Sequence, residues 1–198
     1  MKEKWDQKFG GENYHYGKNP NSFYKSIIDK LPSGKILLLG EGEGRNAVYA
    51  AKKGWQVFAI DFSETGKEKA LRLAGENNVP INYTIADVTE YIPPSNEFDA
   101  VALIFLHFGE DTRELVHQRV LNSLKPGGSL ILEAFDKEQI NNPHGGPRNV
   151  AYLYSLEDVY TDFHELQLEV FSKENINLDE GIGHSGKGEV IRLHGIKN

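Results

Sequence analysis

Apolar and amphipathic segments alternate along the chain from about residue 35 onward. Short apolar runs bounded by Gly, Asp or Pro lie at 35–39, 56–60, 81–86, 98–106 and 129–135. Segments with helical periodicity lie between them, at 45–53, after Ser63 and from Asp111 to Leu124, where Asp111 and Glu114 have the spacing of a capping box. This alternation predicts an α/β fold in which helices cover both faces of a parallel sheet.

The two ends of the sequence depart from this alternation. Residues 5–16 are rich in aromatic and polar residues and are predicted to be irregular, and Ser22 is predicted to cap a first helix. The glycine- and proline-rich segment 136–151 predicts a long loop. The chain then has a short helix after Ser155 and two extended segments, 166–178 and 189–196. These last segments predict an antiparallel hairpin, with residues 181–188 connecting them.

Size and composition restrict the function further. A chain of 198 residues with 39% hydrophobic residues is expected to form one domain, spanning 1–198. The net charge of −7 leaves no basic face, so we expect a small-molecule substrate and no nucleic-acid partner. No apolar run approaches the roughly 20 residues that cross a bilayer, and no export signal is visible, which favours the cytoplasm and no membrane contact. The oligomeric state is not encoded in these patterns.

Metal and thiol chemistry are not expected either. The chain has no cysteine, which excludes a thiolate metal site and a cysteine nucleophile. Its seven histidines do not have metal-ligand spacing, so no catalytic metal is predicted.

A glycine-rich turn follows the first predicted strand. Gly40, Gly42 and Gly44 stand at alternate positions between this strand and a helix, where the absence of side chains lets a nucleotide-type ligand approach the backbone. Gly42-x-Gly44-x-x-Ala47 also satisfies the dinucleotide fingerprint. Asp61, at the end of the next strand, occupies the place of a ribose-binding acid in either case. The pattern alone therefore leaves a dinucleotide and S-adenosylmethionine as alternatives.

Charge distinguishes these two ligands. Glu41 and Glu43 lie within the turn, where a dinucleotide would bring a pyrophosphate and S-adenosylmethionine would bring a sulfonium. A carboxylate about 4 Å from a unit charge contributes about 4 kcal/mol at an effective dielectric constant near 20, and less if it points to solvent. The sign of this interaction favours the sulfonium over the pyrophosphate. Asp87, at the end of the third strand, either pairs with an adenine amino group or forms a local turn, and the three strand ends converge on one site.

Several short motifs together resemble the class I S-adenosylmethionine-dependent methyltransferases, and within them the small tellurite-resistance and thiopurine-type enzymes. The resemblance covers nearly the whole chain. Its motifs are Trp5, Tyr16-Gly17, Pro20-Asn21, Gly42-Glu43-Gly44-Arg45-Asn46-Ala47, Gly54-Trp55-Gln56-Val57, Asp61-Phe62-Ser63 and Leu124-Lys125-Pro126-Gly127-Gly128.

The resemblance implies a Rossmann-like, doubly wound sheet of seven strands in the order 3-2-1-4-5-7-6, with strand 7 antiparallel. It implies that residues 1–33 form a lid and a first helix before the core, 34–198. It also implies that the turn glycines contact the methionine part of the cofactor, that Asp61 binds the ribose and that Asp87 contacts the adenine. The full set predicted to bind the cofactor is Gly40, Glu41, Gly42, Gly44, Asn46, Asp61, Phe62, Asp87 and Val88.

One position departs from the family pattern. The family usually has an acid two residues before the first glycine of the turn, where this chain has Leu38. Either cofactor binding is weakened or Glu41 supplies a replacement carboxylate, and we favour replacement.

The acceptor side is less defined by the sequence. His107 follows the fourth predicted strand and is the first candidate for a catalytic base or acceptor-binding group, or it packs locally. Residues with a candidate lid or acceptor role are Tyr14, Tyr16, His144 and Arg148. For His184, in the hairpin connection, we expect no functional role.

These observations predict a methyltransferase that acts on a small molecule such as a thiol, a thiopurine-like compound or a chalcogen oxyanion. The alternatives are a nicotinamide-dependent oxidoreductase and a protein that binds S-adenosylmethionine without catalysis.

Overall fold

A seven-stranded sheet forms the centre of the computed structural model, which describes residues 2–198. The strands are β1 (Lys35–Leu39), β2 (Gln56–Asp61), β3 (Asn82–Ile85), β4 (Phe98–Ile104), β5 (Leu124–Phe135), β6 (Gln167–Glu180) and β7 (His184–Ile196). Their order is β3-β2-β1-β4-β5-β7-β6, and β7 runs antiparallel to both of its neighbours. The predicted fold class and strand order are confirmed.

Helices cover both faces of this sheet. They are α1 (Lys2–Phe9), α2 (Ser22–Ile28), α3 (Arg45–Lys52), α4 (Glu64–Glu76), α5 (Glu110–Ser123) and α6 (Leu156–Phe163), with short 3-10 turns at Lys137–Asn141 and Val150–Tyr152. Because side chains alternate along a strand, Ile36 and Leu38 pack with α2 and α3, whereas Leu37 and Leu39 face the layer of α5 and α6. Among residues 2–198, no helix has the length and apolar character to cross a membrane.

The N-terminal part differs from the sequence prediction. Residues 2–9 form α1, which includes the first five residues of the segment 5–16 that was predicted to be irregular. Lys, Glu and Gln in this helix are good helix formers, with Glu3 in the first turn and Lys8 in the last. Trp5 and Phe9 stand one helical turn apart, and their rings lie 5.4 Å apart. The aromatic residues therefore form one face of a helix, where we expected a loop.

Two helix starts also differ from the prediction. Asn21, rather than Ser22, caps α2, and its side-chain oxygen accepts a hydrogen bond from the Tyr24 N–H at 2.9 Å. The capping box predicted from Asp111 and Glu114 does not form. Instead the N-cap lies two residues earlier, at Gly109, with no side-chain cap, so that Asp111 lies inside the first turn. A carboxylate there still stabilises the helix through its dipole.

The last strands are longer than predicted. β5 starts at Leu124, and a register shift opposite residues 98–100 accommodates the expected turn at 125–128 within the strand. β6 and β7 pair up to Glu180 and His184, so the hairpin connection has three residues, 181–183. Because β7 begins beyond the end of β5, the tip of this hairpin projects past the carboxyl end of the sheet. This tip brings Glu180 and His184 to the edge where the glycine turn lies.

Candidate functional site

The glycine turn between β1 and α3 is tightly packed. All three predicted glycines have positive φ, which is 68° at Gly40, 60° at Gly42 and 87° at Gly44. A Cβ at Gly44 would lie 2.5 Å from the Ala70 Cβ, and one at Gly40 would lie 2.7 Å from the nearest methyl carbon of Leu106. Both the backbone conformation and the lack of space therefore require glycine in this turn.

Glu41 lies against the start of α3. Its Oε1 accepts hydrogen bonds from the N–H groups of Asn46 and Ala47, at 2.9 and 2.7 Å. Burial raises the pKa of this carboxyl to about 7, against the opposing effects of the Ala47 hydrogen bond and the charge of Arg45. Leu38, two residues before the turn, is buried in the apolar layer below it. Leu38 therefore supplies no carboxylate to this turn, whereas Glu41 does.

Glu43 points to the other side of the turn. Its carboxylate forms an ion pair with Lys69 of α4 at 2.8 Å and accepts the His15 N–H at 2.7 Å, and both charged side chains are buried. Because Lys69 compensates its charge, Glu43 does not contribute the attraction for a sulfonium that we expected of both glutamates. Its contacts hold the segment that follows α1 against α4.

Asp61, the predicted ribose-binding acid, lies directly beside the turn. Its two oxygens accept hydrogen bonds from the N–H groups of Gly42, at 3.0 Å, and Ser63, at 2.8 Å. Burial raises the pKa of this carboxyl, while these N–H groups oppose the shift. Asp61 is therefore fixed at the carboxyl end of β2, next to the backbone that a nucleotide ligand would contact.

Helix α1 covers this part of the turn. The Phe9 ring is 3% exposed and would lie 3.0 Å from a Cβ at Gly42, and the Asp6 carboxylate accepts a hydrogen bond from the Ser63 hydroxyl at 2.5 Å. Lys2 adds an exposed ion pair with Glu64. The N-terminal segment thus closes over the turn.

The remaining predicted cofactor residues surround the same edge. Asp87 is exposed, and its Oδ1 accepts hydrogen bonds from the Thr89 N–H and hydroxyl, which is the local turn that the sequence left as an alternative. Val88 is buried and Phe62 is half-buried. The side chain of Asn46 accepts the Asn21 N–H at 2.9 Å, so it faces the N-terminal segment.

His107, the predicted catalytic candidate, has hydrogen bonds at both ring nitrogens. Nδ1 lies 2.9 Å from the Tyr152 carbonyl, to which it donates, and Nε2 accepts the Phe135 N–H at 3.2 Å. Burial lowers the pKa of this imidazole to about 3, against the opposing effect of Tyr152. To act as a base, His107 would have to give up the bond from Phe135.

His184 lies in a cluster of aromatic rings at the hairpin tip. Its ring is 4.4 Å from the ring of Tyr16 and 4.4 Å from that of Phe105, and Phe135 closes the cluster. Phe105 follows β4 directly and has a φ of 53°, which is strained for a side chain of this size. In this backbone conformation the Phe105 ring packs against His184.

Glu180 orients this histidine. Its Oε2 lies 3.1 Å from His184 Nδ1 and 2.9 Å from Arg45 Nη2, and its Oε1 accepts a hydrogen bond from Asn21. Burial disfavours ionisation of Glu180, but the hydrogen bond from His184 and the charge of Arg45 lower its pKa to about 2. No hydrogen bond reaches His184 Nε2 from any residue in the range 2–198. His184 thus has a hydrogen-bonding partner at Nδ1 and, among residues 2–198, none at Nε2.

The residues proposed for a lid or for acceptor binding separate into two groups. Tyr16 lies in the aromatic cluster, whereas Tyr14 donates a hydrogen bond to the Lys69 carbonyl at 3.0 Å and faces α4. His144 and Arg148 make their hydrogen bonds inside the loop after β5: the Arg148 guanidinium donates to the carbonyls of residues 142 and 143. The structure brings only Tyr16 of these four next to His184.

Sequence reasoning did not single out Phe105 and Glu180, took Asn21 only as part of a family motif, and expected no functional role for His184. Glu180 and His184 stand four residues apart, but this spacing becomes informative only when the connection between β6 and β7 is known to have three residues. Phe105 carries no signal in its residue type, because its strain comes from the backbone.

Comparison with known proteins supports the resemblance seen in the sequence. Residues 36–128 match the model of a methyltransferase domain, a range that contains the glycine turn, Asp61 and Asp87. The sheet order with its antiparallel seventh strand is the class I arrangement expected from the resemblance. The resemblance to the class I S-adenosylmethionine-dependent methyltransferases is thus confirmed.

Relatives of this chain differ in the molecules that their names specify. The chain is 29% identical over 133 residues to a probable thiol methyltransferase 2 of Arabidopsis thaliana, covering 65% of this chain and 57% of the relative. It is 28% identical over 107 residues to a fibrillarin-like rRNA/tRNA 2'-O-methyltransferase of Methanoculleus marisnigri, covering 53% and 52%. The chain spans about half the length of the curated relatives it matches, from 41% to 57%.

Among solved structures, the methyltransferase fold extends over the whole chain. TehB from Haemophilus influenzae superposes with a TM-score of 0.75 and 14% identity, covering 100% of this chain and 67% of that one. This likeness concerns the fold. The acceptor has to be inferred from the site itself, and the expectation that no nucleic acid binds stays a prediction.

Proposed function

We propose that this methyltransferase transfers the methyl group of S-adenosylmethionine to a small neutral acceptor that carries a thiol or a thiopurine-like sulfur. The single observation that carries the proposal is the open Nε2 of His184, held by Glu180 within an aromatic cluster at the carboxyl end of the sheet. The proposal also assigns roles to the cofactor residues that were predicted from the sequence.

The cofactor side has the chemistry that S-adenosylmethionine requires. A bare turn lets the ligand approach the backbone, and two carboxyl groups, Glu41 and Asp61, suit a cation and ribose hydroxyls. We assign the cofactor to the turn and its neighbours, Gly40, Glu41, Gly42, Gly44, Asn46, Asp61, Phe62, Asp87 and Val88. When bound, S-adenosylmethionine supplies a methyl group on a sulfonium, which leaves as a neutral thioether.

His184 has the properties of a general base for a thiol. Burial lowers the pKa of its imidazole, although Glu180 opposes this, so the ring is neutral and Nε2 can take a proton. Glu180 fixes the tautomer in which Nδ1 carries the hydrogen and would stabilise the imidazolium that forms. The thiol proton passes to Nε2, and the sulfur electron pair forms the new bond to the methyl carbon.

The surroundings of His184 favour a neutral sulfur acceptor over an oxyanion. The nearest guanidinium, that of Arg45, is bonded to Glu180 and to the Tyr16 carbonyl. The other cation near the cluster is Lys8, whose ammonium lies 5.9 Å from the centre of the Tyr16 ring, so an anion there would be compensated only at that distance. Aromatic rings such as Phe105 and Tyr16 make favourable contacts with sulfur.

A panel of acceptors tests this proposal. Formation of S-adenosylhomocysteine is measured with 2-mercaptoethanol, thiophenol, 6-mercaptopurine, selenite and tellurite. We expect turnover of the thiols, and His184→Gln should reduce kcat/KM by roughly 10²–10⁴-fold, the usual contribution of a general base. The affinity for S-adenosylhomocysteine should stay unchanged, as it should in His164→Gln, a matched change at an exposed histidine.

The pH profile separates a base from a structural role. The His184→Gln variant should regain rate as pH rises above the pKa of the thiol, because the acceptor then arrives as a thiolate. A larger loss in His107→Gln than in His184→Gln would return the role to His107. Turnover of oxyanions alone would reject the acceptor class, and cofactor binding without any turnover would support a non-catalytic protein. Stabilisation by NAD rather than S-adenosylhomocysteine would support the oxidoreductase alternative.

A further inference from the structure

Glu41 is a half-buried acid without a counterion in the middle of the cofactor turn. Both N–H groups that bond to it use the same oxygen, Oε1. No hydrogen bond to Oε2 and no ion pair to this carboxylate forms within the part of the chain that the structure describes, residues 2–198. Half of its capacity to accept hydrogen bonds is therefore unused, in contrast to Glu43 in the same turn.

The charged groups around Glu41 do not supply the missing cation. Arg45 of α3 is the nearest positive charge, but its guanidinium is paired with Glu180. Asp61 at the end of β2 adds a second negative charge, which opposes ionisation of Glu41. Tyr24 of α2 and Tyr83 of β3 also face it, and burial keeps both phenols protonated. At neutral pH Glu41 is consequently close to half ionised, as its pKa of about 7 implies.

A cationic ligand at the turn would change this balance. A positive group near Oε2 stabilises the carboxylate and lowers its pKa, so binding of the ligand and loss of the proton are linked. By linkage, the factor by which bound ligand favours ionisation of Glu41 equals the factor by which the ligand binds the ionised form more tightly than the protonated form.

We infer that Glu41 is the counterion of the amino and sulfonium groups of the cofactor, and that cofactor binding expels a proton from it, so that affinity rises with pH across neutrality. The side chain thus takes the place that Leu38 leaves without an acid, and it makes loading of the methyltransferase sensitive to pH. This inference concerns cofactor binding alone and holds whichever acceptor the enzyme uses.

Calorimetric titration with S-adenosylhomocysteine and S-adenosylmethionine tests the inference. Wild type, Glu41→Gln and the exposed control Glu157→Gln are titrated at pH 5.5, 6.5, 7.5 and 8.5. In wild type and the control, affinity should rise by about tenfold in total from pH 5.5 to 8.5, with most of the rise at about pH 6–7. Glu41→Gln should bind about tenfold more weakly at pH 8.5, with a flatter profile. Gln keeps an oxygen for the N–H groups of Asn46 and Ala47, so the start of α3 is preserved.

Counting protons gives a second readout that a structural role would not change. Titrations at pH 6.5 in two buffers of different ionisation heat should show that wild type releases more protons on binding than Glu41→Gln. The amino group of the ligand titrates equally in all variants, so the difference between variants reports Glu41. Equal affinity and equal proton release in wild type and Glu41→Gln would overturn the inference and leave the acceptor proposal intact, since no acceptor is present.

Discussion

The glycine turn holds one carboxylate on each of its two sides, and the two sides solve the problem of a buried charge differently. Toward α4, Glu43 is neutralised by Lys69 and is part of the structure that closes the N-terminal segment. Toward α3, Glu41 has only backbone N–H groups, and its pKa is raised to about 7 by burial. The side with a permanent counterion serves stability, and the side without one is free to respond to a ligand.

The largest effect is expected on the paired side. Glu43→Gln removes the negative charge and leaves the Lys69 ammonium buried, which should lower the free energy of unfolding by about 3–5 kcal/mol. Urea unfolding followed by circular dichroism measures this loss. Glu157→Gln, an exposed neutralisation, should change stability by less than about 0.5 kcal/mol. Equal stability of the two variants would show that the ion pair contributes nothing.

Neutralising Glu41, on the side without a counterion, should raise the free energy of unfolding. The Glu41 carboxyl has a pKa of about 7 in the fold and 4.5 as a model value, so above pH 4.5 the unfolded chain loses its proton first. Stability from this group therefore falls as pH rises to about 7 and then levels off. Glu41→Gln lacks this cost and should gain up to about 3 kcal/mol at pH 8 and nothing at pH 4. Urea unfolding at both pH values measures the difference; a loss at pH 8 would contradict it.

A smaller effect is expected from a neutral contact on the paired side. Tyr14→Phe removes the hydrogen bond to the Lys69 carbonyl and should cost about 1 kcal/mol in the free energy of unfolding. The same change at the exposed Tyr160 provides the control. If Tyr14→Phe is as stable as the Tyr160 variant, the hydrogen bonds from the His15 N–H to Glu43 and from Lys69 to the Asn13 carbonyl hold the N-terminal segment without the Tyr14 hydroxyl.

Sequence patterns predicted the positions of the glycine turn, Asp61 and Asp87 much better than those of Glu180 and His184. The turn, Asp61 and Asp87 follow strands whose apolar runs are readable, so their convergence follows from the topology of a parallel sheet. His184 and Glu180 depend on a hairpin that pairs beyond the predicted extended segments, by five residues at the start of β7 and by two at the end of β6. The polar residues there do not specify this register. Likewise, the environment that separates Glu41 from Glu43 comes from Lys69, an ordinary helix residue in the sequence.

The N-terminal helix illustrates the same limit. Its eight residues are too few for a stable helix in isolation, so its formation depends on packing of Trp5 and Phe9 that no local pattern encodes. Once formed, it places Phe9 over Gly42.

This cover also bears on how fast the turn can be reached. For a ligand that enters beneath α1, the association rate is bounded by the frequency with which this helix is displaced, whatever the final affinity. Lys4 and Lys8 lie within α1, where a protease cleaves only the displaced form. The rate of tryptic cleavage in α1 therefore measures how often this helix is displaced, and a bound ligand that holds α1 in place would slow the cleavage.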